Sequence, residues 1–345
     1  MRPSRALAIA AALGLLATVA VVQAQRSRAA EMVTLAPEAP RRIVAAAQAF
    51  LATLDEAGRA KAQLPYDSPQ RTRWSNLPIG MVPRNGVRMG DLTPAQRTAG
   101  LAVLEAAFSK DGYTKVLDIV RSDEVLRTSG SRAGRPAFGQ DEYYLAFVGA
   151  PSVDAPWMLQ FGGHHLGVNM TMAGSRATLA PSLTGAQPAT YTIEGRTVRP
   201  LGREQDRAFE LIGSLDARQK ARAIISAQMG DLVLGPGKDG QTIQPEGLEV
   251  SAMTPAQQAM VMDIVREWAG IAAETLAAPR LEEIKAKLPE TWFAWSGPTT
   301  PGSAAYFRLQ GPTLVIEYAP QRTTDHIHAI YRDPTNDYGS SYARR

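Results

Sequence analysis

Four histidines stand in this 345-residue chain, and they come as two pairs, His164-His165 and His326-Ile327-His328. Imidazole is the side chain that binds transition metals as a neutral ligand near neutral pH. Each pair lies in or beside a strand-like segment, where side chains alternate between faces. In the segment from Asp325 to Arg332, His326, His328 and Arg332 therefore share one face. An H-x-H pair on one strand brings two imidazoles within reach of one ion. In the segment from His164 to Met170, the apolar face carries Leu166, Val168 and Met170. His165 and Asn169 take the opposite face, with Gly167 leaving open space between them. His164 falls in line with the apolar face or belongs to the preceding turn.

Glu317 is a further candidate. It is an acid inside the apolar strand Leu314-Val315-Ile316-Glu317-Tyr318, where burial is costly unless the carboxylate is paired or metal-bound. The expected metal site is thus His164, His165, His326 and His328. Glu317 stands beside it as ligand or base, and Arg332 as a group that binds an anionic substrate. Such a set suits a divalent transition metal, Zn, Cu, Fe or Mn. The competing reading is a hydrogen-bonded histidine cluster without metal, with Glu317 paired to Arg308 or Arg332.

Cysteine is absent, which removes thiolate metal sites, cysteine nucleophiles, iron–sulfur clusters and disulfides. Neither an H-E-x-x-H nor a G-x-S-x-G motif occurs. The glycine-rich stretch Gly235-Pro236-Gly237-Lys238-Asp239 lacks the Ser or Thr and the first glycine of a phosphate loop, so it reads as a surface turn. The net charge of +4 includes Arg2 and Arg5, and the basic residues interleave with acids. That excludes a nucleic-acid partner.

The histidines must be positioned by helices and strands that the sequence marks out. Thr93-Pro94-Ala95-Gln96 is a capping box with proline at the first helical position, and Thr254-Pro255-Ala256-Gln257 repeats it; Asp216-Ala217-Arg218-Gln219 is a variant. The helices they open are read from Leu101, Leu104 and Phe108, from Val261, Ile264, Val265 and Trp268, and from Ile224, Ile225 and Met229. An Ala-rich helix is expected from Ile43 to about Lys61. Strands are expected over Tyr143 to Val148, Trp157 to Phe161 and Leu166 to Met172. They are expected again over Trp292 to Trp295, Tyr306 to Leu309 and Leu314 to Tyr318. A shift of 148 positions lays the first three on the second three, so that Gly163 meets Gly311 and Asn169 meets Glu317. This predicts an α+β fold. Its antiparallel sheet or sheets come from two related helix-plus-three-strand units (about 91–172 and 253–332) within a single domain over 42–345, with the capped helices packed on them.

Several blocks together resemble the domain-of-unknown-function family 3500. They are Trp157 through His165, Pro181 through Ala186, Trp295-Ser296-Gly297, Leu314 through Tyr318, and His326-Ile327-His328 through Arg332-Asp333-Pro334 to Asp337-Tyr338-Gly339. The resemblance runs from about Ile43 to Gly339. It implies an exported protein that carries this domain alone, and it brings no catalytic residue with it.

The N-terminus agrees with export. Arg2 and Arg5 precede an uncharged apolar run from Ala6 to Val22, and Val22-Gln23-Ala24 fits cleavage after Ala24. Residues 25–41 read as a linker. The expected location is periplasmic or extracellular, with an uncleaved anchor as the alternative and no membrane span in the mature chain. Two functions fit these observations. One is a metal-dependent enzyme acting on a small molecule by metal-assisted hydrolysis or oxygen chemistry. The other is a non-catalytic protein that binds a metal or small ligand.

Overall fold

A computed structural model describes residues 38–129 and 137–342. The expected signal peptide lies outside these residues. Helix α1 (Glu38–Ala52) opens the described chain and already takes in the last four residues read as linker. The Ala-rich segment is two helices rather than one. Asp55 caps a second, α2 (Glu56–Ala62), by accepting from Gly58 N–H. The capping boxes at Thr93, Asp216 and Thr254 all form, each with both reciprocal hydrogen bonds. They open α3 (Pro94–Ala107), α6 (Ala217–Ala223) and α7 (Pro255–Ala269). Helix α6 stops at Ala223, and Ile224 begins a short strand instead of continuing the helix as expected. Two β-branched isoleucines in succession favour extended backbone where a neighbouring strand is available.

The six expected strands form β3 (Tyr144–Val148), β4 (Trp157–Gly163), β5 (Leu166–Ala173), β12 (Trp292–Ser296), β13 (Tyr306–Gly311) and β14 (Leu314–Pro320). Two more, β7 (Ser182–Ala186) and β15 (Ile327–Arg332), join the halves into one mixed sheet of 13 strands, which the short strands β1 (Gln63–Leu64), β2 (Val87–Arg88), β6 (Arg176–Thr178), β10 (Ile224–Ser226) and β11 (Leu248–Glu249) complete, while β8 (Tyr191–Ile193) and β9 (Arg196–Val198) form a separate pair. Its central order is β3-β4-β5-β7-β15-β14-β13-β12. Read from its middle outward, the sheet presents equivalent strands in the same sequence on both sides. The equivalence continues upstream with a spacing of 161 residues: Asp55 and Asp216 cap matching helices, as do Thr93 and Thr254.

The two faces of the sheet are covered differently. Helices cover one face. Phe50 packs on Phe147, Phe209 on Trp295 and Trp268 on Phe307, with ring centroids 6.1, 5.0 and 6.2 Å apart. The alternate strand residues face two irregular covers, residues 65–86 over one half and 227–247 over the other. In the first half, Asn85, Gln160 and Asn169 form an amide chain, with Asn85 Nδ2 to Gln160 Oε1 at 2.9 Å and Gln160 Nε2 to Asn169 Oδ1 at 3.1 Å. Equivalent places in the second half hold Glu246, Arg308 and Glu317. Arg308 pairs with Glu246 at 3.0 Å.

A buried ionic group ties the helix layer together. Lys115 lies on α4 (Lys110–Ser129), and its Nζ is 2.7 Å from Glu204 on α5 (Gly202–Ser214) and 3.2 Å from Glu267 on α7. Burial pushes the Glu204 carboxyl above its ordinary pKa, and Lys115 opposes the shift.

Candidate metal centre

His164 and His165 are the two-residue turn between β4 and β5; Gly163 pairs with Leu166 on either side of them. Gly162 and Gly163 thus close strand β4 rather than forming the turn. His165 adopts a left-handed backbone with φ 63°. For a non-glycine residue that conformation costs about 1–2 kcal/mol, so neighbouring groups must hold it. His165 N–H donates to Asn76 O (3.0 Å) from the loop cover. Tyr143 O–H donates to His164 O (2.7 Å) from the adjoining segment. A side chain at Gly163 would meet Glu142 O and the Tyr143 ring, each at 2.9 Å, so the clamp needs glycine there.

The two histidine pairs meet across 161 residues of sequence. His165 Nε2 is 2.8 Å from His326 Nε2, and His326 Nε2 is 3.2 Å from His328 Nε2. His326 immediately precedes β15, and His328 lies within it, opposite Gly185 of β7. Gly185 makes the convergence possible. A Cβ there would lie 2.6 Å from Ile327 O, 3.2 Å from the His328 ring and 3.3 Å from His165 Cβ. His165 is buried, while His326 and His328 are partly exposed, so the trio opens to solvent on one side.

The three nitrogen atoms are close enough to share an ion, although the 2.8 Å between His165 and His326 is a hydrogen-bond distance and only the 3.2 Å between His326 and His328 is near a ligand–ligand edge. With metal–nitrogen bonds of about 2.0–2.1 Å, the edge of a tetrahedron is roughly 3.3 Å. The charge state fits as well. Burial first, then the neighbouring histidines, holds His165 well below the ordinary imidazole pKa. His328 is drawn down to about 4 by burial and then by His326. His326 is lowered by burial and His164, with Asp325 and Asp231 opposing. Three neutral imidazoles whose nitrogen atoms converge could hold a metal ion.

His164 does not join this trio. Its Nδ1 meets Asp123 Oδ1 at 2.6 Å, and its ring lies over His165 with centroids 3.6 Å apart and over Phe138 at 4.8 Å. Asp123, His164 and His165 form a second group of potential ligands sharing His165 with the first. Asp123 also accepts Gly139 N–H at 2.8 Å. Sequence reading passed over Asp123, although a signal exists. With Val116, Ile119 and Val120 it lies on the buried stripe of α4, an acid where the helix pattern calls for an apolar residue.

A family model described as a protein of unknown function, DUF3500, matches residues 37–340. The chain belongs to the DUF3500 family. No curated protein and no solved structure matches it.

Two expected site residues of this DUF3500 protein belong elsewhere. Glu317 is fully buried, and its carboxylate accepts from Val233 N–H (2.8 Å), Leu234 N–H (2.7 Å) and Tyr306 O–H (2.7 Å). It fastens the 227–247 cover to the sheet, and it is in neither group of potential ligands. Arg332 performs the matching task from β15. It donates to Leu234 O (2.7 Å) and Gly235 O (3.0 Å), and it pairs with Asp239 (3.0 Å) and Asp337 (2.7 Å). With those partners Arg332 is a loop anchor rather than a substrate arginine. A buried ion takes whatever backbone partners a cover supplies, and alternation along a strand does not reveal them.

The space expected beside Gly167 is also filled. The Trp74 ring would come within 2.4 Å of a Cβ there, so glycine admits the indole. Trp74 Nε1–H donates to Tyr338 Oη (2.8 Å), and Tyr338 O–H donates to Asp239 (2.9 Å). The two covers and the C-terminal segment are thus linked beside the histidines.

Proposed function

We propose that this protein binds one divalent transition metal through Nε2 of His165, His326 and His328 and uses it in metal-dependent chemistry on a small molecule. The convergence of those three nitrogen atoms carries the reading. Zn, Cu, Fe and Mn all accept imidazole, but three neutral imidazoles with an open position are a donor set of catalytic zinc. The neighbouring Asp123, His164 and His165 have the two-histidine, one-carboxylate composition of oxygen-activating iron, but Asp123 and the Nδ1 of His164 are bonded to each other at 2.6 Å, which favours the trio. Metal-assisted hydrolysis or hydration is therefore the favoured chemistry. In that chemistry the metal supplies Lewis acidity and lowers the pKa of bound water. His165 holds the buried side of the site, and His326 and His328 hold the side open to substrate. Asp123 holds the His164 ring through Nδ1 and so fixes its orientation beside His165.

The apolar N-terminal run supports a place of work outside the cytoplasm, periplasmic or extracellular. N-terminal sequencing of the protein recovered from the extracytoplasmic fraction tests this. A mature chain starting at Gln25 is expected, and an intact chain in the cytoplasm would refute it.

Metal analysis of protein purified without a histidine tag tests the metal reading. About one equivalent is expected in the wild type and none in the His326→Ala/His328→Ala variant, which should still fold. A large core does not depend on the ion as a zinc finger does. If chelator changes neither metal content nor the melting temperature of the wild type, the metal reading fails.

A further inference from the structure

Among the described residues no acid pairs with Arg84 of the first cover. Its Nη1 donates to Val82 O (2.7 Å) and its Nη2 to Leu77 O, while Nε is buried without an acceptor. Several other arginines withdrawn from solvent find carboxylates: Arg88 has Glu142 and Asp91, Arg280 has Asp333, Arg308 has Glu246, and Arg332 has Asp239 and Asp337, while Arg71, half-buried like Arg84, lies over the Tyr66 ring. Burial lowers the Arg84 pKa below the ordinary arginine value, and only Tyr144 and Tyr143 oppose it. A desolvated cation without a counter-ion is costly, and a bound anion removes the cost.

The space beside Arg84 suits one. Arg84 lines a small half-open pocket of about 30 Å³, with Arg73, Asn85, Tyr144 and Phe161 also on its walls. No acidic residue lines it. The amides of Asn85 and Gln160 are engaged with each other and with backbone carbonyls, so the pocket's fixed charge is positive. Its floor includes Gly162, Leu166 and Gly167, the strand residues around the His164–His165 turn. The same cover supplies Asn76 O to His165 N–H.

We propose that this pocket binds the carboxylate of a small organic acid, with Arg84 as its cation. As the substrate-binding part of the site, it rests on the reading that the histidine centre acts on a small molecule. The Nη1 and Nη2 hydrogens not given to Val82 O and Leu77 O match the two oxygens of a carboxylate. A phosphate dianion would require a second enclosed cation, and Arg73 is exposed.

Propionate and its neutral isostere propionamide are the probes. Binding is read on the full-length protein from the Trp74 indole N–H resonance, assigned with Trp74→Phe, before and after metal removal by chelator. Propionate should shift the resonance saturably in both states, with at least tenfold preference over propionamide. Arg84→Gln should abolish that preference. Arg84→Lys, which keeps the charge and loses the planar edge, should bind propionate more weakly and retain the preference. If Arg84→Gln does not fold, Arg84→Lys decides, and unaltered propionate affinity there overturns the assignment. Equal binding of acid and amide overturns it too, as does propionate binding that vanishes with the metal but survives in Arg84→Gln. Metal content of the same samples is measured separately, so failure of the pocket is distinguishable from failure of the histidine centre.

Discussion

His164 and Asp123 meet at 2.6 Å in a place closed to water, with His164 5% and Asp123 1% exposed. Helix α4 brings the acid and the β4–β5 turn brings the imidazole, so this bond ties the helix layer to the histidine turn. Asp123→Asn keeps the shape and weakens the charge-assisted bond. A loss of about 1.5–3 kcal/mol of stability is expected, with the metal still bound to the trio because Asp123 is not one of its ligands. Denaturant unfolding and metal analysis of the same variant check both halves. Loss of all metal would instead place Asp123 or His164 among the ligands.

Gly185 is the residue whose size the site tolerates least. Its Cβ would press on Ile327 O and stand between His165 and His328. Gly185→Ala should lower metal affinity at least tenfold, the scale on which misplaced ligands act, and should cost about 1–3 kcal/mol from overpacking. Competition with a metallochromic chelator measures the first and thermal unfolding the second. Wild-type affinity in this variant would show that the trio does not close on an ion.

The sequence was informative where physics is local. Capping boxes at Thr93, Asp216 and Thr254 need only residues three apart, and all three form. Strand alternation singled out His165, His326 and His328, but His165 lies in the β4–β5 turn and His326 immediately before β15, so their meeting depends on the pairing of β7 with β5 and β15 rather than on alternation. The fates of Glu317 and Arg332 depended on a cover of irregular backbone between 227 and 247, whose N–H and C=O groups carry no sequence signal. Ile224 became a strand because β12 was there to receive it, a tertiary circumstance that overrode a helical pattern. Asp123 was within reach, as a carboxylate on the apolar stripe of a helix, but its partner lay 41 residues away.

The metal-free protein should weaken as acid is added, in a definite window. His328 has a folded pKa of about 4 against an ordinary value of 6.5, and His165 is displaced in the same direction. Between those values the unfolded chain binds more protons than the folded one, so stability rises with pH there. It is complete above about 6.5 and is lost as pH falls toward 4. A gap of roughly 2.5 pH units caps the His328 share at about 3 kcal/mol. Urea midpoints of chelator-treated protein between pH 7.5 and 4 check this, and His328→Gln should flatten part of the slope. A slope of the opposite sign would mean that the folded state holds these imidazoles charged.

The Lys115 group offers a test independent of the metal. Lys115 Nζ serves Glu204, Glu267 and the Glu267 backbone carbonyl at once (2.7, 3.2 and 2.6 Å), while Arg203 and Arg207 reach Glu267 from the outside (3.0 and 2.9 Å). Glu204 has no such outer partner and is fully buried. Lys115→Met removes the one cation within ion-pair distance of Glu204, and leaving a buried charge uncompensated costs about 3–5 kcal/mol. The raised pKa of Glu204 gives the chain a way out, because the carboxyl can take a proton instead. The loss should therefore be larger at pH 8 than at pH 5. Adding Glu204→Gln to Lys115→Met should restore much of the loss at pH 8, since the neutral amide no longer needs the ammonium. Urea unfolding of the wild type, both single variants and the double variant at the two pH values measures this coupling. If the double variant is as weak as Lys115→Met at both, the cost of losing Lys115 is one of packing along its methylene stem, and the ionic account of the helix layer is wrong.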